Sequence, residues 1–142
     1  AIRFRESDVR LTKRPSRGVI GIRLEEGDRV IGLAAIDRDI TMEKRLLMVT
    51  ERGYGKRVSL VDFPLQGRGG KGVQGIKIDR DSGPLVSIGV VSDQDEIIIN
   101  TDQKVIRILA GDINTYGRYA RGVKLIDLEE DDRIVSVVRT EK

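Results

Sequence analysis

Basic residues and glycines recur with one spacing at three places in the chain. The three segments are Arg14-Pro15-Ser16-Arg17-Gly18-Val19, Arg68-Gly69-Gly70-Lys71-Gly72-Val73 and Arg118-Tyr119-Ala120-Arg121-Gly122-Val123, which we call the first, second and third box. Each box places two cations three residues apart and a glycine directly after the second cation. Glycine lets main-chain N–H groups come close to an anion, and Arg and Lys add charge-assisted hydrogen bonds. The chemistry that this pattern favours is the binding of phosphate groups.

Parts of this pattern also have a structural interpretation. The glycines that close the boxes, Gly18, Gly72 and Gly122, equally suit a turn with positive φ. An arginine precedes each box by eleven residues, with an aspartate between them; the arginines are Arg3, Arg57 and Arg107, and the aspartates are Asp8, Asp62 and Asp112. Each of these arginines either contacts phosphate or pairs with its aspartate to hold the loop. The aspartates are predicted to be structural, as turn or capping groups.

The spacing of the boxes predicts a repeat protein. The steps are 54 residues from Arg14 to Arg68 and 50 residues from Arg68 to Arg118, and such a period is typical of blades in a propeller-like disc. Short apolar and β-branched runs bounded by Gly, Asp and Ser predict an all-β fold. The predicted strands are Val30 to Ile36, Leu46 to Thr50, Leu85 to Val91, Ile97 to Ile99, Val105 to Leu109 and Ile134 to Val138. We expect one domain of three blade-like units, residues 1–39, 40–94 and 95–142, with an open sheet edge at its start that permits an edge-mediated dimer.

The composition argues against several classes of function. The 142 residues include no histidine and no cysteine, which disfavours the usual zinc sites, disulfides and His-assisted nucleophiles and is compatible with a reducing cytoplasm. The chain has no apolar run near the roughly 20 residues that cross a bilayer, and we expect neither a signal peptide nor a membrane partner. Because the net charge is only +3 and the aromatic residues are two Phe and three Tyr, clustered cations on duplex phosphates are favoured over stacking of single-stranded bases.

The second box also resembles a known motif. Gln66-Gly67-Arg68-Gly69-Gly70-Lys71-Gly72 is similar to the glycine-rich basic box of the DNA gyrase A subunit, Q-[R/K]-R-G-G-K-G, except that Gly67 stands where that box has a basic residue. Thr50 to Arg57 and Val135 to Val138 extend the similarity over the whole chain. The resemblance implies a β-pinwheel, the C-terminal domain of that subunit, in which six blades exchange strands with their neighbours and DNA bends around a basic outer rim. This chain looks like the second half of such a disc, about three blades.

The resemblance implies a role in a bacterial type II topoisomerase. The domain would bind and wrap duplex DNA by phosphate contacts and so support ATP-dependent negative supercoiling; its partners would be the remainder of the gyrase A subunit, together with the gyrase B subunit. The location would be the cytoplasm, in association with the nucleoid. No cofactor is expected in this domain, because ATP and Mg are used elsewhere in the family's holoenzyme. The family's catalytic tyrosine lies in another region, so Tyr54, Tyr116 and Tyr119 are not assigned to cleavage, no catalytic residue is predicted, and the classification of the chain as an enzyme is left open.

Two other functions stay open beside DNA binding: a propeller-like scaffold that binds proteins, and the equivalent domain of topoisomerase IV. A scaffold has no need of a basic box in every repeat, and it would lack a strong salt dependence on DNA. The residues predicted to contact DNA are Gln66, Arg68, Gly69, Gly70, Lys71, Gly72, Arg14, Arg17, Arg118, Arg121, Lys56, Arg57 and Arg107.

Overall fold

The described residues form an all-β structure of strands joined by turns and irregular loops, as predicted. The computed structural model describes residues 1–11, 17–37 and 44–140. Within these ranges the strands are β1 (Arg3–Phe4), β2 (Arg45–Thr50), β3 (Tyr54–Ser59), β4 (Leu65–Gln66), β5 (Leu85–Val91), β6 (Glu96–Thr101), β7 (Val105–Leu109), β8 (Val123–Lys124) and β9 (Ile134–Thr140). The helical segments there are three-residue 3-10 helices, Glu6–Asp8, Leu60–Asp62 and Ala110–Asp112. Each ends at one of the recurring aspartates, which places these aspartates in turns of the backbone.

Each of the two larger sheets is built around an apolar strand that has a neighbour on both sides. In the four-stranded sheet the order is β5-β2-β3-β8, and in the three-stranded sheet it is β7-β6-β9; β1 and β4 form a separate parallel pair. Both β2 and β6 pair antiparallel with the neighbour on each side. A strand that is covered on both faces carries a continuous apolar run instead of a strict alternation. The sequences of β2 (Leu-Leu-Met-Val at 46–49) and β6 (Ile-Ile-Ile at 97–99) have this character.

The central strand β2 separates two hydrophobic clusters. Because successive side chains of a strand point to opposite faces, Leu47 and Val49 pack into one cluster and Leu46 and Met48 into the other. The first cluster also contains Val91, Ile97, Ile99, Ala110, Ile113, Ile126 and Ile134, and the second contains Val58, Leu60, Phe63 and Ile76. Full burial of one such side chain contributes about 1.5–3 kcal/mol. Burial of these side chains therefore stabilises the two sheets that contain them.

Consecutive repeats are joined by backbone pairing, and we call each such junction a seam. In the first seam, Arg3 of β1 pairs in parallel with Leu65 of β4. In the second seam, Arg57 of β3 forms the equivalent parallel bridge with Thr115. β3 also pairs with β8, so a strand of the third repeat completes the sheet of the second. The exchange of strands that the resemblance implies is therefore present, while the unit boundaries 1–39, 40–94 and 95–142 stay a prediction.

Five of the six predicted strands are confirmed. The predicted ranges 85–91 and 105–109 coincide with β5 and β7, and 46–50, 97–99 and 134–138 lie within β2, β6 and β9. The prediction for Val30 to Ile36 is wrong, because these residues form no strand. The corresponding strands of the later repeats, β5 and β9, pair with the central strands β2 and β6. No central strand occurs in the described ranges 1–11 and 17–37, so the run at 30–36 has no such ladder to join.

Candidate nucleic-acid interface

The first arginines of the second and third boxes lie on the seams. Arg68 donates from Nε to the main-chain oxygen of Asp8 (2.9 Å) and from Nη1 to that of Ile20 (3.0 Å). Arg118 donates from Nη1 to the main-chain oxygen of Gln74 at 3.0 Å, and Gln74 follows Ile20 by the step between the first two boxes. The two arginines therefore occupy equivalent places on successive seams. A guanidinium has five N–H donors, so each keeps donors for an anion.

The glycine that closes a box is required by the backbone. Gly72 and Gly122 have φ of 80° and 92°, a region that glycine enters without steric cost. An added Cβ at Gly72 would collide with the main-chain oxygen of Ala1, and one at Gly122 with that of Gly55. The collision arises because the next residue pairs with the preceding repeat: the N–H of Val73 donates to the oxygen of Ala1 at 2.6 Å. Of the two interpretations left open for these glycines, the structure supports the turn.

The paired glycines of the second box also use their main chain within the protein. The N–H of Gly69 donates to the oxygen of Gly21 at 2.6 Å, and the oxygen of Gly70 accepts from the N–H of Arg23 at 2.8 Å. The Gly69 N–H is therefore already engaged, which corrects the expectation that it faces a phosphate. The prediction of phosphate contact at this box therefore depends mainly on the side chains of its two cations, Arg68 and Lys71.

The second cations of the second and third boxes differ in their exposure and in their ion pairs. The Lys71 side chain is 71% exposed, and its nearest carboxylate, on Glu25, lies 3.9 Å from its Nζ. The Arg121 side chain is only 32% exposed, and its Nη1 lies 3.0 Å from a carboxylate oxygen of Asp79 and 3.7 Å from one of Asp81. Lys71 can therefore turn toward a phosphate at little cost, whereas Arg121 is held by two carboxylates of the preceding repeat.

Asp79 is well suited to hold Arg121. A hydrogen bond from the main-chain N–H of Ser82 (2.9 Å) is the largest cause that lowers the pKa of Asp79, and the bond from Arg121 lowers it further. The carboxylate is consequently ionised at neutral pH. The guanidinium of Arg121 also lies over the ring of Tyr54, 4.4 Å from its centroid. This arrangement fixes the direction of Arg121 before any ligand binds.

Two residues predicted to contact DNA are buried, and their assignment is corrected. Lys56 is 0% exposed, and burial lowers its pKa to about 8. Arg57 is 9% exposed and pairs with Asp93. Their remaining partners are main-chain oxygens of the third repeat, Gly117, Arg118 and Ala120 for Lys56, and Ile113 and Gly111 for Arg57. Both side chains are buried because the next repeat closes over β3, and both hold the second seam.

The arginine that precedes the first box acts in the same way as Arg57. Arg3 donates from Nη1 to the main-chain oxygens of Leu60 (3.3 Å) and Phe63 (3.2 Å). These oxygens lie at the start of the 3-10 helix of the following repeat and just after its end. The acceptors of Arg57 one repeat further on, Gly111 and Ile113, lie within the corresponding 3-10 helix and just after its end. Arg3 and Arg57 therefore bind the turn that contains the next recurring aspartate, and they bind its backbone, not its carboxylate.

The remaining predicted residues have different surroundings. Arg107 is exposed and lies 3.6 Å from Glu96. Arg17 is exposed, and Arg14 lies outside the described residues. Gln66 belongs to β4, and its side-chain oxygen is buried without a hydrogen-bond partner. For all four residues, contact with DNA stays a prediction.

An open groove beside the third box contains cations that the repeat pattern did not reveal. It has a volume of about 310 Å³ and is lined by Arg52, Tyr54, Arg80, Asp81, Lys124 and Leu128. Lys124 lies 5.9 Å from the centre of the Tyr54 ring. Comparison of the boxes did not find Arg80 because the equivalent positions in the other two repeats hold Glu26 and Glu130.

Two kinds of feature are absent from the described part of the chain. Across residues 1–11, 17–37 and 44–140, no helix has the length and apolar character needed to span a membrane. The same residues contain no group of three or more metal-ligating side chains in a position to hold an ion.

Comparison with known proteins gives consistent matches. The family model described as the DNA gyrase C-terminal domain, beta-propeller, matches residues 1–37, 44–92 and 97–141. The chain is 41% identical to the DNA gyrase A subunit of Haloquadratum walsbyi over 138 residues, which are 96% of this chain and 16% of that relative. A solved DNA gyrase A C-terminal domain is similar with a TM-score of 0.84 and 35% identity over 96% of this chain and 45% of that one. The C-terminal domain of a DNA topoisomerase IV is similar with a TM-score of 0.88 and 28% identity over 97% of this chain and 42% of that one.

These matches cover nearly all of the chain but only part of each relative. The chain spans 16% of the curated relative and less than half of each solved domain. The family model, in contrast, includes β2 to β9 almost completely. The chain therefore belongs to the DNA gyrase C-terminal domain family, which has a β-propeller architecture.

Proposed function

We propose that this chain binds duplex DNA through phosphate contacts of the boxes. The observation that carries the proposal is that Arg68 and Arg118 occupy equivalent places on successive seams and keep N–H donors for an anion. Equivalent places on stacked repeats put the cations in a row, and a row of cations matches the regularly spaced phosphates of a duplex. Because phosphates are the same in every sequence, such contacts position DNA without reading it.

The boxes contribute unequally in this proposal. The second box leads, because Arg68 is exposed and Lys71 has only a distant acidic neighbour. The third box contributes mainly through Arg118, because Asp79 and Asp81 restrain Arg121. The exposed Arg17 of the first box, together with Arg80 and Lys124 in the groove, extends the row.

Within a longer protein, the row would help to wrap DNA for a type II topoisomerase. Smooth bending of 20–30 base pairs costs on the order of 1–6 kcal/mol, so several boxes have to act together. The partners would be the remainder of a gyrase A subunit, together with a gyrase B subunit, and the result would be ATP-dependent negative supercoiling at the nucleoid in the cytoplasm. The family membership and the similarity to the A subunit of DNA gyrase support this part of the proposal.

A second candidate is the equivalent domain of topoisomerase IV. The TM-score of 0.88 with that domain favours it, whereas the higher sequence identities, 41% and 35%, are with gyrase A. Both candidates bind DNA in this proposal. A scaffold that binds proteins is the alternative of a different class.

The test is a titration of a labelled 30-base-pair duplex at several salt concentrations. For Z neutralised phosphates, the slope of log K against log salt is about −0.9Z; with four cations engaged we expect about −3.6. Two duplexes of unrelated sequence are expected to give the same affinity within about twofold, since no base edge is read. A flat salt response, or binding to one sequence alone, would contradict the proposal and favour the scaffold.

A further inference from the structure

Lys56 is a buried ammonium group beneath the third box. It lies in the middle of β3, is 0% exposed, and belongs to the second repeat. Its Nζ donates to the main-chain oxygens of Gly117 (2.6 Å), Arg118 (3.0 Å) and Ala120 (2.6 Å). An ammonium has three N–H donors, so all three are used within one loop. These acceptors are the backbone of the third box and of the residue before it.

The other repeats lack this arrangement. The positions equivalent to Lys56 are Ile2 and Ile106. In the first seam, the Ile2 side chain lies 3.6 Å from the place where a Cβ on Gly70 would stand, so the second box rests on an apolar side chain. The second box has two glycines between its cations, whereas the third has Tyr119 and Ala120. The two boxes thus have different backbones and different supports.

We propose that Lys56 is the positioning residue of the third box: its ammonium orients three peptide carbonyls and so fixes the loop from which Arg118 and Arg121 project. Burial of a charge costs several kcal/mol unless hydrogen bonds offset it, and here the offsetting bonds all go to this loop. Without them, the loop gains conformational freedom that DNA binding has to remove. The part of this inference that concerns DNA rests on the proposed function.

The test uses Lys56→Met in the 142-residue chain, with amide hydrogen exchange measured without DNA. Loss of charge-assisted hydrogen bonds is expected to raise exchange at residues 117–120 by about tenfold or more, while residues 67–72 of the second box stay unchanged. The control is Lys77→Met, which removes an exposed lysine near the same seam and is expected to leave both loops as they are. Unchanged exchange at 117–120 in the Lys56 variant would overturn the inference.

The consequence for DNA is tested by combining variants. Lys56→Met is expected to weaken duplex binding by about tenfold, with the full effect retained when Arg68 and Lys71 are replaced by alanine. When Arg118 and Arg121 are alanine, Lys56→Met is expected to have no further effect. Equal losses in both backgrounds would mean that charge alone matters and would overturn the positioning role.

Two outcomes keep this inference separate from the proposed function. If exchange rises as expected but no variant and no wild-type chain binds DNA, the proposed function fails and the support of the loop stands. If Lys56→Met does not fold, Lys56→Gln replaces it, because its amide retains donors for part of the loop. Faster exchange at 117–120 in that variant, without change at 67–72, is the supporting result, and uniform exchange across the chain is the contrary one.

Discussion

Removing the cations of one box at a time tests how the seams bind DNA. The matched double variants are Arg68→Ala with Lys71→Ala, and Arg118→Ala with Arg121→Ala. Lys71 is 71% exposed and 3.9 Å from its acidic neighbour, whereas Arg121 is 32% exposed and 3.0 Å from Asp79. A cation that is already paired has to exchange or share its carboxylate before it neutralises a phosphate. We therefore expect the second box to contribute more than the third.

The expected magnitude follows from counterion release. Each lost phosphate contact reduces the slope of log K against log salt by about 0.9. The second-box variant loses two contacts, so its slope should be smaller in magnitude by about 1.8. The third-box variant loses one contact if Arg121 stays with Asp79, so its slope should be smaller by about 0.9. When the salt concentration rises from about 50 to 200 mM, each phosphate contact makes the affinity fall by a further three- to fourfold. Stability is expected to fall by about 1 kcal/mol per exposed charge at most.

Fluorescence anisotropy with two unrelated duplexes at four salt concentrations measures these slopes, and circular dichroism confirms that each variant is folded. The control is Arg133→Ala, which removes an exposed arginine paired with Asp102 outside the boxes and should leave the slope within about 0.3 of wild type. Asp79→Asn is expected to release Arg121 and steepen the slope by up to about 0.9. Equal losses from both boxes would refute the role of the ion pair. No loss from either box, in folded variants, would refute phosphate binding by the boxes.

Three further predictions concern the seams. Gly72→Ala is expected to lower the free energy of unfolding by about 1–3 kcal/mol, because Gly72 has a positive φ and an added Cβ would collide with the preceding repeat. The control is Gly67→Ala, which has open space around its Cβ position and should change this free energy by no more than about 0.5 kcal/mol. Urea denaturation measures both values. By the same assay, Arg57→Ala is expected to cost about 2–4 kcal/mol because buried carbonyl oxygens lose their donor, and the equivalent but exposed Arg107→Ala about 0.5 kcal/mol or less. The pKa of Lys56, lowered to about 8, lies below the value of about 10.4 in an unfolded chain. The unfolded chain therefore holds the extra proton between these values, so stability is expected to rise by about 3 kcal/mol as the pH increases from about 8 to 10.4; a wild-type rise no larger than that of Lys56→Met would contradict this.

The strands were predictable from the sequence where a local run of apolar residues is enough to indicate them. The runs at 46–49 and 97–99 are too apolar for an edge strand, and they form the central strands β2 and β6. The step between boxes also located equivalent places on the two seams, as the matching contacts of Arg68 and Arg118 illustrate. The run at Val30 to Ile36 has the same local signal, but a strand also needs a partner, and pairing is a property of the whole sheet.

The seam contacts were not predictable from one sequence. Arg121 and Asp79 are 42 residues apart, and nothing in the composition of either segment indicates that they meet. Lys56 and Arg57 are charged and adjacent, so a surface position was the natural expectation. They are buried because the third repeat closes over β3 and presents main-chain oxygens to them, and this depends on a loop about 60 residues further along the chain.

At the seams, the residues that are proposed to contact DNA also connect two repeats. Arg68 belongs to the second repeat by sequence but binds the main chain of the first, so a phosphate held by its remaining donors contacts a residue that already connects two repeats. The same holds for Arg118 one step further on. In the proposed function, bending force from DNA is therefore applied at the junctions, where strand pairing and the hydrogen bonds of Arg3 and Arg57 resist separation. Cations in the middle of a repeat could bind phosphates equally well. The bending force would then act on the contacts within one sheet and not on the contacts between repeats.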